Sequence, residues 1–201
     1  MKNDIYKKLS RLFAVIPGIG EKQAQKISIF LLKADKEYLN EFSQLVNDVR
    51  ENVFKCPQCH GIAYKADLCS ICSDNSRKNN ELLIVESYDD MLTIENLDQY
   101  HGFYFILNGL ISPLKGITPD ELNIHEIIDK LSEEKEILEI TLALPKSSEG
   151  NVTSYYIKNL INKKNPSVKV YTLAEGLSES YNIHSVQLNS LAAALKNKME
   201  F

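Results

Sequence analysis

The sequence predicts a multi-module α/β protein with a helical N-terminal module, a four-cysteine module, a parallel α/β domain and a C-terminal segment that carries a helix. Three observations support this fold class. A Pro-Gly-Ile-Gly turn at residues 17–20 separates two segments of helical periodicity. All four cysteines of the chain lie within residues 56–72. Beyond them, short apolar runs alternate with helical patterns, which is typical of a parallel sheet. The predicted boundaries are 1–54, 55–78, 79–176 and 177–201.

The composition is that of an ordinary soluble globular protein. The chain has 201 residues, of which 44% are hydrophobic and 25% are charged, and this length is enough to bury a substantial core. The first ten residues lack the apolar segment of a signal peptide, and no apolar run is long enough to cross a bilayer. We therefore expect a cytoplasmic protein with reduced thiols and no contact with a membrane.

The net charge of −4 conceals an uneven distribution. Residues 1–33 hold seven basic and two acidic side chains, so this segment carries a charge of +5 and the remainder carries −9. A basic end suits phosphate, and an acidic body suits a different partner. Chance clustering of solvated lysines explains the charge count equally well. The basic residues are Lys2, Lys7, Lys8, Arg11, Lys22, Lys26 and Lys33.

Two predicted helices flank the turn at residues 17–20, as in a helix-hairpin-helix motif. The first ends before Pro17, and the second runs from Glu21 to about Lys33. A third, amphipathic helix is predicted over residues 36–53. Its apolar positions follow a period near 3.6 residues, so we expect them to face a core. They are Leu39, Phe42, Leu45, Val46, Val49 and Val53.

The glycines of the turn indicate an anion-binding site. Gly18 and Gly20 permit a positive φ and leave backbone N–H groups uncovered at the start of the second helix, where the helix dipole favours an anion such as a DNA phosphate. Lys22 and Lys26 lie four residues apart on one face of that helix and can reach the same DNA backbone. The pattern favours DNA binding without sequence specificity, and an ordinary helical hairpin is the alternative.

The four cysteines form two C-x-x-C pairs, Cys56/Cys59 and Cys69/Cys72, which are separated by nine residues. Two residues between cysteines allow a tight turn to direct both sulfurs at one metal, so the spacing predicts a tetrahedral thiolate site for one zinc ion per chain. Disulfide bonds are the alternative, but they need an oxidising compartment. His60 could replace one cysteine, although four thiolates are already available. Because the site has no open position, we expect a structural zinc.

The rest of the chain has the pattern of a parallel α/β domain. Residues 73–80 are polar and rich in turn formers, which predicts a linker. Thr118 and Glu121 form a capping-box pattern with a proline at the first helical position, so we expect a helix from there through Leu131. In a parallel sheet, functional residues gather at the carboxyl ends of the strands. The predicted strands are 82–85, 103–107, 137–144 and 168–173.

Two glutamates follow predicted strands, Glu86 after the first and Glu149 after the third. A Toprim domain uses carboxylates in such positions to hold magnesium, because two-metal phosphoryl chemistry needs several of them. The Glu149-Gly150 pair fits that pattern and is expected to form the turn into the next helix. Pro145 and Ser147 occupy the positions of the two metal-binding aspartates and cannot be carboxylate ligands. The sequence therefore predicts a Toprim-like domain without catalysis, in which the acids either bind a partner or cap helices.

The order of these parts resembles the RecR family of bacterial recombination mediators. The similarity covers nearly the whole chain and rests on five sequence blocks in the same order. The blocks are I-P-G-I-G-E-K-x-A-Q-K (16–26), C-S-x-C-S-D (69–74), V-E-x-x-x-D (85–90), N-G-L-I-S-P-L-x-G-I-x-P (108–119) and E-G-N-V-T (149–153).

The resemblance implies a homo-oligomer, either a dimer or a tetrameric ring, that acts in DNA repair. Such a protein binds DNA and RecO, in many bacteria also RecF, and helps to load RecA onto single-stranded DNA. The resemblance assigns DNA contact to Lys22 and Lys26, and RecO binding to Glu86, Asp90 and Glu149. A small magnesium-dependent Toprim nuclease or primase-like enzyme is the alternative, which the missing aspartates disfavour.

Several positions depart from the family pattern. Asn151 stands where a glutamate is common, and Thr172 and Glu175 stand where arginines are usual. Residues 178–181 replace a Pro-x-Gly-Gly segment. These departures affect the expected contacts of the C-terminal segment and leave the predicted fold unchanged.

Overall fold

The structure is a computed structural model that describes residues 5–65, 67–133 and 137–173. The chain divides into two compact units, Met1–Val53 and Phe54–Phe201. None of the helices in the described part of the chain is long and apolar enough to span a membrane. The segment predicted over residues 177–201, with its helix, lies outside the described residues. The boundaries between the four predicted domains stay a prediction.

The first unit is helical. It contains α1 (Ile5–Ala14), α2 (Glu21–Lys33) and α3 (Lys36–Asn52). Small residues allow α1 and α2 to pack against each other: Ser10 Oγ donates to Ser28 Oγ at 3.1 Å, and Ser28 Oγ donates to the carbonyl oxygen of Ala24 at 2.7 Å. Asp35 caps α3, because its Oδ1 accepts a hydrogen bond from Tyr38 N at 2.8 Å.

The apolar side of α3 is not buried in a core of the described residues, contrary to the expectation for residues 36–53. All of α3 is described, and none of its residues is buried. Leu45, Val46 and Val49 are each more than half exposed. Periodicity identifies an amphipathic helix, but it cannot tell whether the apolar side packs within one chain or against another molecule. We call Tyr38, Phe42, Leu45, Val46 and Val49, which share one side of the helix, the α3 stripe.

The segment that contains the four cysteines (residues 53–65 and 67–72), here called the cysteine segment, includes a two-stranded sheet. Its strands are β1 (Val53–Lys55) and β2 (Ile62–Tyr64). The sequence does not predict β1, because the helical period of the preceding residues continues into Val53. Cys56 N donates to Gly61 O at 2.8 Å, and His60 N donates to Cys56 O at 2.9 Å. These hydrogen bonds close the turn that contains the first C-x-x-C pair.

Four parallel strands form the main sheet of the second unit, in the order β4-β3-β5-β6. The sequence predicts all four. β3 begins earlier than expected, at Lys78, so the end of the segment 73–80 is strand and not linker. Lys78 N donates to His101 O at 2.8 Å, which extends the strand into polar residues that carry no apolar signal. The strands are β3 (Lys78–Val85), β4 (Gly102–Ile106), β5 (Glu139–Ala143) and β6 (Lys169–Thr172).

In the described residues of the second unit, the α-helices are α4 (Tyr88–Glu95), α5 (Glu126–Glu133) and α6 (Ser148–Lys164). The helix predicted from residue 118 is interrupted. The capping box does form, with Glu121 Oε2 accepting from Thr118 N at 2.8 Å, but it caps only a short 3-10 helix. The backbone is extended at Leu122, whose side chain packs with buried Ile124 against the core, and α5 begins after this break.

Each face of the main sheet has its own apolar core. Leu82 and Ile84 of β3 join a cluster with residues of α5 and α6, whereas Leu83 and Val85 point to the opposite face. On that second face, α4 and the cysteine segment cover the sheet. Ile106 N donates to the carbonyl oxygen of Cys59 at 2.9 Å. The cysteine segment is therefore part of the core of the second unit.

Candidate metal centre and binding surfaces

The four cysteines converge on one point. Their sulfur atoms all lie within 4.8 Å of one another. Cys72 is half-buried, and the other three are buried. Among the described residues, Gly61 N donates to Cys59 Sγ at 3.3 Å and Cys72 N donates to Cys69 Sγ at 3.4 Å. Hydrogen bonds of this kind favour the thiolate form of a cysteine.

The close sulfurs perturb each other's ionisation. Cys59 Sγ and Cys69 Sγ are 3.6 Å apart. Hydrogen bonding with Cys69 raises the pKa of Cys59 to about 12, and hydrogen bonding with Cys59 raises the pKa of Cys72. The pKa of Cys69 is lowered, because its sulfur accepts from Cys59 and Cys72. A divalent cation would replace the shared protons and let all four sulfurs ionise. A set of four thiolates fits a tetrahedral zinc ion.

His60 lies beside this cluster but outside it. The residue has a φ of 63°, and its ring packs edge-on against Phe105 with the ring centres 4.7 Å apart. His60 Nε2 is 3.1 Å from Glu126 Oε2 of α5, in an orientation that does not form a hydrogen bond. Burial lowers the pKa of His60. The imidazole thus connects the cysteine segment to α5 and leaves the metal position to the thiols.

The turn between α1 and α2 leaves the start of α2 open. Gly18 has a φ of 82°, the left-handed conformation that glycine adopts readily. Gly20 is the N-cap of α2 and provides no side-chain cap. Lys22 and Lys26 are exposed on the side of α2 opposite its buried residues. The assignment of these residues to DNA contact stays a prediction.

Lys33 lies on the same side of α2 as these two lysines, which the turn motif alone does not reveal. At 3.6 residues per turn, residues 22, 26 and 33 fall within about 40° of one another around the helix axis. Helical spacing in the sequence could have identified it. Glu21 lies on a different side, where it lines a groove together with Lys7 and Arg11.

The predicted partner-binding acids lie near the carboxyl ends of the strands without forming one ligand set. Within the described residues, only the four cysteines form a group of three or more metal-ligating side chains as close as 4.8 Å. Glu86 directly follows β3. Burial and then the nearby Asp90 raise the pKa of Glu86, while Lys115 lowers it. Asp90 Oδ2 accepts from Ser87 N at 3.0 Å and from Ser87 Oγ at 2.6 Å, so this carboxylate caps α4. Glu149 lies in the first turn of α6.

Pro145 and Ser147 both contact the first turn of α6 at Gly150. Ser147 Oγ accepts from Gly150 N at 3.0 Å and caps the helix. Gly150 lies inside the first turn of α6, which corrects the expectation that the Glu149-Gly150 pair forms a turn ahead of the helix. A Cβ on Gly150 would collide with the carbonyl oxygen of Pro145. The glycine is therefore required by packing.

Known proteins resemble this chain along nearly its whole length. Residues 80–174 match the Toprim domain. Recombination protein RecR of Brachyspira hyodysenteriae is 36% identical over 193 residues, which cover 96% of this chain and 95% of the relative. Recombination protein RecR of Lactobacillus acidophilus is 34% identical and covers 91% of this chain and 90% of the relative. That of Porphyromonas gingivalis is also 34% identical, with 94% and 89% covered.

These matches include both units of the chain. They extend beyond the Toprim domain to the helical first unit and the four-cysteine cluster, whose order along the chain is that of the sequence blocks described above. The chain therefore belongs to the family of recombination protein RecR.

Proposed function

We propose that this chain is a non-catalytic, DNA-binding recombination mediator that acts with RecO to help load RecA onto single-stranded DNA. The resemblance implies RecF as a second partner in many bacteria. The chain's membership of the RecR family supports a role in recombination and repair. The observation that carries DNA binding is the exposed pair Lys22 and Lys26 next to the open N-terminus of α2.

The geometry of α2 suits a phosphate backbone. Gly20 leaves the first N–H groups of the helix without a side-chain cap, and the helix dipole adds a partial positive charge there. Lys22 and Lys26 are about 6 Å apart along the helix axis, so both can reach phosphates of one strand. Contacts of this kind position DNA without reading its bases, so binding should be independent of sequence.

A charge reversal tests this proposal. Lys22→Glu with Lys26→Glu should weaken binding to all DNA sequences alike and reduce the salt slope of log K by about one unit for each lost phosphate contact. Fluorescence anisotropy at a series of salt concentrations measures both quantities. Lys163→Glu with Lys164→Glu makes the same change of charge at the end of α6 and should bind as the parent does. Parental affinity in the α2 variant, or an equal loss in the control, would refute DNA contact at α2.

We propose that Cys56, Cys59, Cys69 and Cys72 hold one structural zinc ion per chain. The support is the convergence of four sulfurs in the core of the second unit. Four thiolates leave no open position for substrate, so the metal would have a structural role. When bound, it would supply folding free energy. Reduced thiols need a reducing compartment, so we place the protein in the cytoplasm.

We infer that Glu86, Asp90 and Glu149, here called the acidic edge, form the docking surface for RecO. Carboxylates at the strand ends attract a basic partner and speed its encounter. Asp90 is held in the cap of α4, so Glu86 and Glu149 are the members best able to contact a partner.

The residues near the acidic edge also support the proposal that the protein is not catalytic. Two-metal phosphoryl transfer needs several carboxylates around ions that are about 3.5–4 Å apart. Pro145 and Ser147 provide none, and Ser147 caps α6 instead. Nothing in the geometry of the acidic edge favours the magnesium-dependent alternative.

We propose that copies of this chain associate through the α3 stripe, as a dimer or within a tetrameric ring. The support is the exposure of five apolar side chains along one side of α3. Exposed apolar patches of this kind mark contact surfaces between proteins.

A further inference from the structure

Leu114 is the most exposed large apolar side chain in the described part of the chain, with 98% of its surface accessible. It lies in the loop of residues 108–117, which follows β4. A single exposed leucine is common on protein surfaces and by itself needs no explanation. Here two further features favour a role in binding: the loop that carries Leu114 is ordered, and it lies next to the acidic edge.

The loop holds Leu114 in place through its own hydrogen bonds. Ser112 and Ile117 form an antiparallel bridge in which each N–H group donates to the other residue's carbonyl oxygen at 3.0 Å. A 3-10 turn over Pro113–Lys115 ends at Gly116, whose φ of 74° closes the loop. Ser112 at the base is buried. Because the backbone of such a loop is already ordered, the loop itself loses little conformational entropy when Leu114 binds.

The base of the loop is fastened to both glutamates of the acidic edge. Gly109 N donates to the carbonyl oxygen of Glu86 at 3.3 Å. Ile111 N donates to Thr153 Oγ1 at 2.9 Å, and Thr153 Oγ1 donates to the carbonyl oxygen of Glu149 at 2.7 Å. The base of the loop therefore lies beside Glu86 and Glu149. At its tip, Lys115, the neighbour of Leu114, is close enough to lower the pKa of Glu86, which brings the leucine near the acidic edge.

We propose that Leu114 is the apolar anchor of the acidic edge, and that its occupant is a protein partner with an apolar pocket bordered by basic side chains. This proposal rests on the proposed docking function of the acidic edge. Exposed charges speed an encounter but contribute little affinity, whereas a large side chain that fills a pocket can dominate it. DNA does not fit, because its phosphates would face Glu86 and Glu149. A second copy in a symmetric contact would bring two acidic edges together.

The test measures the affinity of RecO from the same organism for a set of variants at low and high salt. Leu114→Ala should weaken binding at least about tenfold, which corresponds to about 1.4 kcal/mol. This loss should persist at high salt, because salt does not screen apolar burial. Leu114→Met keeps an apolar side chain of similar size and should retain most of the affinity. Glu86→Ala with Glu149→Ala should weaken binding mainly at low salt.

Leu97→Ala is the matched control. Leu97 is 62% exposed and follows the far end of α4, so its truncation should leave RecO affinity unchanged. The exposure of Leu114 means that Leu114→Ala should keep parental zinc content and circular dichroism.

The outcomes separate the anchor from the docking function on which it rests. Parental affinity in Leu114→Ala, with weakened binding in the acidic double variant, would refute the anchor and keep the docking function. Parental affinity in both would refute the docking function and the anchor with it. Weakened binding in Leu114→Ala alone would refute the acidic edge as the docking surface, and with it the proposal that Leu114 anchors that edge. A change in DNA affinity or in assembly mass, with RecO affinity unchanged, would assign Leu114 to DNA or to a second copy and overturn the proposal.

Discussion

The two units of this chain differ in how completely each buries its apolar residues. In the second unit, β3 supplies alternate residues to two cores, and Ile84 and Val85 are fully buried. In the first unit, the buried residues among those described are Ala24, Ser28 and Leu31. Among the described residues, the second unit therefore has the larger core. In the first unit, large apolar side chains of α2 and α3 are exposed.

This difference matches the division of proposed roles. A unit with a larger core, further stabilised by the zinc ion proposed for it, is suited to the rigid docking surface proposed at the acidic edge. A unit with few buried residues gains stability when another molecule covers its apolar side. DNA contact and self-association are both assigned to the unit with the smaller core, so association and DNA binding should depend on each other there.

Loss of the metal site should have the largest effect, and it should act on the second unit. Structural zinc contributes about 10–16 kcal/mol of apparent binding free energy in zinc-finger peptides, and Cys59 shares a core cluster with Leu83 and Val85. Cys59→Ser should therefore lose zinc and abolish the cooperative unfolding of the second unit. Metal analysis should find one zinc per parental chain, and calorimetry should follow the transition.

Ser70→Ala, an exposed change between the last two cysteines, is the control and should keep both zinc and the transition. Purified parental protein that has free thiols and no metal would contradict the zinc assignment. Cooperative unfolding that survives in Cys59→Ser would show that the core of the second unit is complete without the metal.

The cysteine segment shows which structural features could be predicted from the sequence and which could not. The two C-x-x-C pairs depend on local turn chemistry, so convergence of the four sulfurs could be predicted from spacing alone. The position of the segment on one face of the main sheet could not, because it depends on contacts such as the one between Ile106 and Cys59, which are far apart in sequence. Local signals predicted the parts, and long-range packing determined where they lie.

The same distinction explains two expectations that the structure corrects. The period of α3 is correct, but no sequence pattern states what will cover its apolar side. The capping box at Thr118 forms, yet the helix stops because Leu122 and Ile124 pack into the core. Leu114 is a further case, since its exposure follows from the closed loop around it and not from its residue type.

Truncation of a buried residue should have the next largest effect and should distinguish the two units directly. Ile84→Ala removes a side chain that is 0% exposed, so it should lower the free energy of unfolding by about 2–5 kcal/mol. Ile29→Ala makes the same change on α2, where the side chain is 43% exposed, and should cost less than about 1 kcal/mol. Urea unfolding measures both. Equal losses would contradict the difference in burial on which the comparison rests.

Truncation of the α3 stripe should affect association more than the stability of one chain. Leu45→Ala with Val49→Ala removes two side chains that are 58% and 60% exposed. Burial of such a side chain against a second copy contributes about 1.5–3 kcal/mol, so self-association should weaken by at least about tenfold. Light scattering over a concentration series measures the mass. Asn47→Ala, on the polar side of α3, should keep the parental mass, and a parental mass in the double variant would mean that another copy does not cover the stripe.

The smallest effect is expected at Glu86, an ionisable group of the acidic edge of the second unit. Burial, with a contribution from Asp90, raises the pKa of Glu86. Its protonated form therefore favours the folded state: this contribution is complete below the ordinary glutamate pKa of about 4.3 and is lost as the pH rises through the raised pKa of the folded state.

Glu86→Gln cannot ionise, so it should be slightly more stable than the parent at pH 7.5, by less than about 1 kcal/mol because solvent reaches the side chain. The difference should shrink toward pH 4.5, and comparison of the two proteins at each pH cancels effects that they share, such as loss of metal. A variant less stable than the parent at pH 7.5 would mean that contacts within the unit stabilise ionised Glu86, in which case this carboxylate serves the fold and not a partner.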